Sequence, residues 1–387
     1  MKRCVSAGVC ALIAGGALAQ PITRLGAIGD SLSDEYAEEG YGSYSMSWSE
    51  ILVTERGIDM GPTASDAGVG DWGEPRRSGY EDNWARFGHT TDDAIATGQH
   101  TGAAAGITGR GVSHVVVFLG GNDFGPAHGP YADVYNDSWS QSQIDTYVNQ
   151  QLAKAETVLD EIDGLGAKIL VVNLFDFGAM VSVERNFPDA AGRQRASALY
   201  DDFSDGIEDL AMQRGLPVLD MLSLSRAIFG THDEDFNNLG IAGVNIRLNV
   251  KGDGSRPDRA YVDDGTHPKS TIQGIWCNAI ITALNDAYNT GITPLSETEI
   301  LGLLGLSAAG PDELDARLGS LSDYVIVPPA NDCLPDTNGD GSLTPADFTA
   351  WINAFNNNLL ECDQNGDGAC TPTDFTAWIS NFNAGCL

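Results

Sequence analysis

Apolar residues cluster along this chain in short runs that alternate with longer amphipathic stretches. Thr23 to Ile28 is a buried-strand pattern ended sharply by Gly29-Asp30-Ser31. His114 to Leu119 (His-Val-Val-Val-Phe-Leu) is apolar without alternation, which predicts a parallel strand covered on both faces. Further strands are predicted at Ile169 to Leu174 and Leu216 to Leu219, each preceded by a helical pattern, about Ile144 to Leu165 and Asp189 to Arg214. Strand–helix alternation of this kind implies an α/β domain with a parallel sheet and helices on both faces. Pro294 to Ser322 has a helical pattern, and Val325 to Asn331, with Pro328-Pro329, is predicted to be a linker.

The chain's 387 residues allow one large domain and one small one. Lys2 and Arg3, the apolar stretch Val5 to Leu18 and Ala17-Leu18-Ala19 predict a secretory leader over 1–19, cut before Gln20. No other apolar run is long enough to span a bilayer, so a secreted, extracellular or cell-surface protein is expected. The formal net charge of −33 argues against nucleic acid and anionic membranes as partners. Cys277, in an apolar helical stretch, is expected to be buried and unpaired.

Four motifs in one order carry the candidate chemistry: Gly29-Asp30-Ser31-Leu32-Ser33, Gly88 after Asn83 to Phe87, Gly120-Gly121-Asn122-Asp123, and Asp264-Gly265-Thr266-His267-Pro268. A serine at the carboxyl end of a strand sits where open α/β sheets place their ligands. Its hydroxyl needs a base to become a nucleophile. Asp264 and His267, three residues apart in a glycine turn, could orient an imidazole toward it. Asn122, at the end of the second strand, would bring a side-chain amide to the same sheet edge, and Gly88 could offer a backbone N–H with no side chain in the way. Each motif alone also reads as a plain turn, and Asp264 could equally cap a helix beginning near Lys269.

Taken together, the four motifs resemble those of the GDSL, or SGNH, serine esterases and lipases. The resemblance implies a three-layer flavodoxin-like sandwich of about five strands over roughly residues 24 to 290. It implies Ser31, His267 and Asp264 as the catalytic triad. It also implies an oxyanion hole of the Ser31 and Gly88 backbone N–H groups and the Asn122 amide, with no cofactor for catalysis.

Residues 333–387 contain a repeat. Asp336-Thr337-Asn338-Gly339-Asp340-Gly341-Ser342-Leu343-Thr344-Pro345-Ala346-Asp347 recurs as Asp363-Gln364-Asn365-Gly366-Asp367-Gly368-Ala369-Cys370-Thr371-Pro372-Thr373-Asp374. Side-chain oxygens at loop positions 1, 3, 5 and 12, glycine at 6 and a backbone carbonyl at 7 meet calcium-loop requirements. These loops resemble dockerin modules, which implies two calcium ions, a small all-α fold and a cohesin-like or other surface anchoring protein as partner. Where dockerins commonly carry Ser/Thr pairs, this chain has Pro345-Ala346 and Pro372-Thr373. Cys333, Cys362, Cys370 and Cys386 are expected to form two disulfides, preferentially Cys333–Cys386 and Cys362–Cys370, with three pairings open.

The organisation expected is a leader over 1–19, a hydrolase domain over 20–324, a linker over 325–332 and a calcium module over 333–387. The function expected is a secreted serine ester hydrolase for acetylated polysaccharide or short-chain esters. A lipase or phospholipase, or a non-catalytic anchored binding protein, is the alternative. Tyr36, Tyr41, Tyr44 and Trp48, which follow the serine, could stack on sugar rings.

Overall fold

The computed structural model describes residues 21–387 apart from 232–235, 251, 253–254, 329–333, 340–341, 358, 366–368 and 386–387. The leader predicted over 1–19 therefore lies outside the described residues.

Strands β1 (Leu25–Gly29), β2 (His114–Phe118), β3 (Lys168–Val172) and β4 (Val218–Leu219) run parallel in one sheet. The register pairs Gly29 with Phe118, so the serine and asparagine motifs leave neighbouring strands at the same carboxyl edge. Every residue of β1 and β2 is buried, because both faces are covered. An antiparallel hairpin, β5 (Asn238–Ile241) and β6 (Val244–Arg247), stands apart from this sheet.

Helix α1 (Trp48–Arg56) packs on α6 (Ser270–Tyr288), and α6 lies against β3 and β4. Trp276 and Tyr288 of α6 meet Phe118 and His114 edge-on, so alternate residues of β2 face this helix and Val115 and Val117 face the other way. Helices α2 (Gln99–Arg110), α3 (Gln141–Ile162) and α4 (Ala190–Gln213) form a second group that reaches the sheet through α2 and β1. Helix α5 (Met221–Phe229) follows β4 directly. The start of α3 lies upstream of the expected Ile144 because Ser140 and Gln143 form a capping box. Asp189 caps α4 by accepting the Gly192 N–H at 2.8 Å.

The expected boundary at residue 324 moves. Val325–Ile326 is not linker but strand β7, paired antiparallel with β4 at the edge of the sheet. Two residues are too few to show a period, so sequence pattern had no means of separating them from the proline-containing segment that follows. Pro294 to Ser322 is helical only at Glu297–Gly302 and Leu314–Leu318, with a 3-10 turn at Leu321–Tyr324. Among the described residues, no helix is long and apolar enough to cross a membrane.

Among the described residues of the terminal module, α-helices α7 (Pro345–Asn357) and α8 (Pro372–Ala384) follow the first and second loops. Phe348 lies against Trp351 and Trp378, and these two buried tryptophans centre the module's own core, with Phe375 packed against Phe348 but 40% exposed. Trp351 donates its indole N–H to Cys362 O at 3.2 Å, and Trp378 donates to Pro335 O at 3.1 Å, each tying a helix to the other half. Cys362 and Cys370 are disulfide-bonded, while Cys333 and Cys386 lie outside the described residues. Cys277 is buried and free, as its apolar surroundings on α6 predict.

Candidate active site

The chain leaves β1 at Gly29, where a Cβ would stand 2.9 Å from the Ser33 side chain and 3.0 Å from Phe118 O. Only glycine lets the turn close this tightly against β2. Gln99, fully buried at the start of α2, clamps the same residue: its Oε1 accepts the Gly29 N–H and its Nε2 donates to Gly29 O, both at 3.0 Å. Asp30 Oδ1 accepts the Leu32 N–H at 2.9 Å, and Asp30 O accepts from Ser33 and Asp34. Ser31 is thus held at the tip of a fixed turn and is only 7% exposed.

The late motif is a second closed turn. Gly265, at φ 75°, lets Gly265 N–H reach Val262 O, and Val262 N–H reaches His267 O, both at 3.0 Å. Asp264 Oδ1 accepts the backbone N–H groups of Thr266 (2.7 Å) and His267 (3.0 Å), while Oδ2 lies 2.6 Å from His267 Nδ1. The capping alternative is thereby excluded, because the carboxylate is committed within its own turn and Lys269 occupies the cap of α6. His267 Nε2 lies 2.7 Å from Ser31 Oγ. Burial works to raise the Asp264 carboxyl, but its hydrogen bond to His267, the histidine's charge and the two backbone N–H groups outweigh it. The net effect holds Asp264 below the usual carboxylate range.

The middle motifs lock onto the first. A Cβ on Gly120 (φ 110°) would meet Leu174, and one on Gly121 would come within 2.7 Å of Asp30 Oδ2, so the paired glycines let this motif abut the serine turn. Asn122 Nδ2 donates to His89 O at 2.9 Å, which leaves the amide's second N–H. Asp123 Oδ2 accepts the Thr91 N–H and hydroxyl at 2.8 and 2.9 Å. The segment bearing Gly88 runs along the free edge of β1, with Trp84 N–H on Ala27 O (2.8 Å) and Arg86 N–H on Gly29 O (3.1 Å). Gly88 itself has φ 75°, and a Cβ there would meet nothing within 4 Å. The left-handed backbone conformation is what calls for glycine at this position.

Aromatic side chains surround the base. The Tyr41 ring stacks on His267 at 5.1 Å and 25°, Phe87 leans over it at 5.4 Å, and Tyr36 meets it edge-on at 6.2 Å. Phe87 is 39% exposed. Two of the four aromatics expected to be open to sugar rings are instead core: Tyr36 and Trp48 are fully buried, with Trp48 Nε1 donating to Ser33 Oγ at 3.0 Å. Tyr44 is half-buried against the core. Beside the Asp264 turn opens a cavity of about 220 Å³ lined by Val181, Ser182, Arg185, Asn186, Asp264 and Gly265.

Acidic groups beneath the serine are buried. Burial raises Asp30 to about 6, against the Leu32 N–H and the charge of His267, which lower it. Burial likewise raises Asp34 to about 6, opposed by the Phe87 N–H and by Arg86, and pushes Glu35 up as well. Arg86 joins Asp34 (3.0 Å), Glu39 (2.9 Å) and Glu74 (3.2 Å). Gln99, Asp34, Arg86, Thr91 and Tyr41 therefore help build the site; Arg86 stands in the segment before Gly88 and Tyr41 among the aromatics after the serine, whereas spacing marks none of Gln99, Asp34 and Thr91.

In the terminal loops, the carboxylates at position 12 are both buried. Asp347 accepts the Thr344 N–H at 2.7 Å and the Asn338 N–H at 3.4 Å. Asp374 accepts Thr371 at 2.7 Å, Gln364 at 2.9 Å and Asn365 at 3.2 Å, so each loop folds back on its last acid in the same way. Asp336, Ser342, Asp363 and Ala369 lie in the described parts of these loops, and Asp340 and Asp367 lie outside the described residues.

A serine, an imidazole and a carboxylate joined in line can carry out nucleophilic attack on a carbonyl. Residues 25–280 match the family described as GDSL-like lipase/acylhydrolase. No curated protein matches the chain. Among solved structures it is similar to TesA, at 17% identity over 68% of this chain and 98% of that one, with a TM-score of 0.35. It is also similar to the extracellular lipase from Streptomyces rimosus, at 18% identity over 64% of this chain and 92% of that one, with a TM-score of 0.36.

Proposed function

Because the chain belongs to the GDSL-like lipase/acylhydrolase family, and is thus a carboxylic ester hydrolase, we propose that Ser31 is its nucleophile, His267 its base and Asp264 the group that orients the base. The observation that carries this is the unbroken line of contacts from Ser31 Oγ through both nitrogens of His267 to Asp264 Oδ2, at 2.7 and 2.6 Å. Ser31 Oγ attacks the ester carbonyl as its proton passes to His267 Nε2. The tetrahedral intermediate expels the alcohol, which takes that proton, and leaves an acyl-serine. Water then attacks the acyl group with His267 again as base and releases the acid. The backbone N–H groups of Ser31 and Gly88 and the second N–H of Asn122 are the donors for the oxyanion. Holding Asn122 on His89 O preorganises that donor.

The substrates proposed are short-chain esters, with acetylated polysaccharide foremost. A nearly buried serine beneath an aromatic-walled base favours a small acyl group, and an exposed Phe87 beside the site suits the flat face of a sugar ring. The leader pattern supports export. For the terminal module we propose two calcium ions and attachment to a surface or scaffold protein. Residues 333–387 hold no Lys, Arg or His, so the acids of the two loops have no cationic side chain of their own module to neutralise them. The described donors fit a hard cation: carboxylate, amide and carbonyl oxygens in loops closed on a buried Asp347 or Asp374. When bound, the cation supplies charge neutralisation and order to these loops.

The deciding experiment is hydrolysis of p-nitrophenyl esters from acetate to palmitate, alongside acetylated xylan and pectin. Highest kcat/KM on acetate, with acetate released from at least one polymer, is expected. A maximum at palmitate would replace this reading with a lipase.

A further inference from the structure

Between the serine turn and α1, residues 40–46 pass over the base. This strap contains Gly40 and Gly42 at φ 66° and 96°, which let it bend sharply on each side of Tyr41. Its far end is stitched to the start of α6. Met46 N–H donates to Ser270 Oγ at 2.8 Å, and the Ser270 N–H and hydroxyl both donate to Tyr44 O, at 3.1 and 2.9 Å. Ser270 follows His267 closely in the chain, so these bonds tie the strap to the histidine turn. What the strap lays on the imidazole is Tyr41, stacked at 25° with its phenol oxygen 3.2 Å from Nδ1.

We propose that Tyr41 is a positioning residue for His267: it holds the imidazole in the orientation that aims Nε2 at Ser31 and steadies the imidazolium formed when Ser31 gives up its proton. The inference rests on reading His267 as the base.

For Nε2 to accept from Ser31, the ring's proton must sit on Nδ1, and Asp264 Oδ2 at 2.6 Å takes the main hydrogen bond from it. That bond alone is a pivot, about which the ring can swing and carry Nε2 off the serine. A ring stacked on its face blocks the swing. The Tyr41 oxygen, at 3.2 Å, is a second and longer acceptor for the same Nδ1–H. Both contacts favour the charged ring, the oxygen as an acceptor and the aromatic face through its negative quadrupole.

The groups facing His267 are Asp264 from its own turn, Tyr41 and Tyr36 from the segment after the serine, Phe87 from the Gly88 segment, and Ser31 with buried Asp30 from the serine turn. Of the aromatic neighbours, Tyr41 alone reaches a ring nitrogen with a polar atom. Burial, with Asp264 and Glu39 nearby, pushes its phenol above the usual range, so near neutral pH the group facing Nδ1 is a hydroxyl and not a phenolate.

Two variants separate the contacts. Tyr41→Phe keeps the stack and loses the acceptor, while Tyr41→Ala loses both. Steady-state kinetics on p-nitrophenyl acetate across pH should show Tyr41→Ala lowering kcat by about 10- to 100-fold, the scale of a displaced catalytic group, with little change in KM. Tyr41→Phe should restore most of kcat. In both variants the acid limb of kcat/KM should move to lower pH, because the imidazolium has lost a stabiliser. A Tyr41→Ala enzyme with wild-type kcat and pH profile would overturn the proposal. So would a loss confined to KM, which would make Tyr41 a substrate-stacking surface. Should Tyr41→Ala fail to fold, as circular dichroism would reveal, Tyr41→Phe decides, and an unmoved acid limb there overturns the idea. Ser31→Ala assayed in parallel keeps the two readings apart: activity surviving in it removes the basis for His267 as base, whereas an inactive Ser31→Ala beside an indifferent Tyr41→Ala removes only the role of Tyr41.

Discussion

Beside the serine turn, Arg86 serves Asp34, Glu39 and Glu74, and at the start of β1 Arg24 and Arg110 both close on buried Asp82. The terminal loops also collect carboxylates, in a module with no cationic side chain at all. The first region can be ordered by folding alone. The second is proposed to draw on a cation from solution as it folds. The site's geometry is therefore expected to be indifferent to free metal while the module's stability is not, and each half can be disturbed without the other.

The largest expected effect lies in the first region. Ser31→Ala and His267→Ala should each lower kcat/KM on p-nitrophenyl acetate by on the order of 10³-fold or more with the fold intact, since the two act as a unit. Calcium should restore nothing to either variant. Asn122→Ala comes next, at about 10²–10³ in kcat, the usual cost of one oxyanion donor. An effect seen only in KM would mean that Asn122 binds ground state and transition state alike.

A smaller effect concerns pH. Asp30 is raised in the folded protein to about 6 from 3.8, chiefly by burial. Between those values the native state binds more protons than the unfolded chain, so this group's contribution to stability is present below about 4 and lost as pH rises through about 6. Asp30→Asn, close in shape and uncharged, should therefore gain in melting temperature relative to wild type as pH rises from about 4 to about 7. A gap between the two that stays constant with pH would assign the raised value to another group, Asp34 being the neighbour with the same shift.

The smallest effect on activity sharpens the contrast most. EDTA should leave hydrolysis of p-nitrophenyl acetate nearly unchanged while exposing residues 333–387 to protease, with first cuts at 327–332, beyond β7. Adding calcium should protect the tail. Loss of ester hydrolysis on chelation would place a needed metal in the catalytic domain and dissolve the distinction between the halves.

Much of the sheet was legible because β1 and β2 are continuous apolar runs with glycine stops, and a strand buried on both faces leaves that mark in sequence. Three of the site's motifs were legible for a similar reason: Gly29, Gly120, Gly121 and Gly265 stand where a side chain would collide or where φ is positive. What stayed hidden is held by single contacts between distant segments. Gln99 clamps Gly29 from 70 residues away, and Asp34 carries the Phe87 N–H from 53 away. Neither pattern nor spacing marks such a residue, because its polarity fits a surface position equally well. Trp48 and Tyr36 misled for the opposite reason: aromatics after a catalytic turn look available, yet here they fill the core beneath it. Strand β7 escaped by being two residues long.

Ser31, activated by His267, is proposed as the nucleophile of a site that works without a metal. The most direct test of this role is labelling with a fluorophosphonate probe in the presence of EDTA, followed by peptide mass spectrometry. Labelling should place one phosphonate on each chain, carried by Ser31, with activity lost in step with labelling, no label in Ser31→Ala and slow labelling in His267→Ala. A protein that hydrolyses p-nitrophenyl acetate yet resists the probe, or takes the label on a residue other than Ser31, would contradict it.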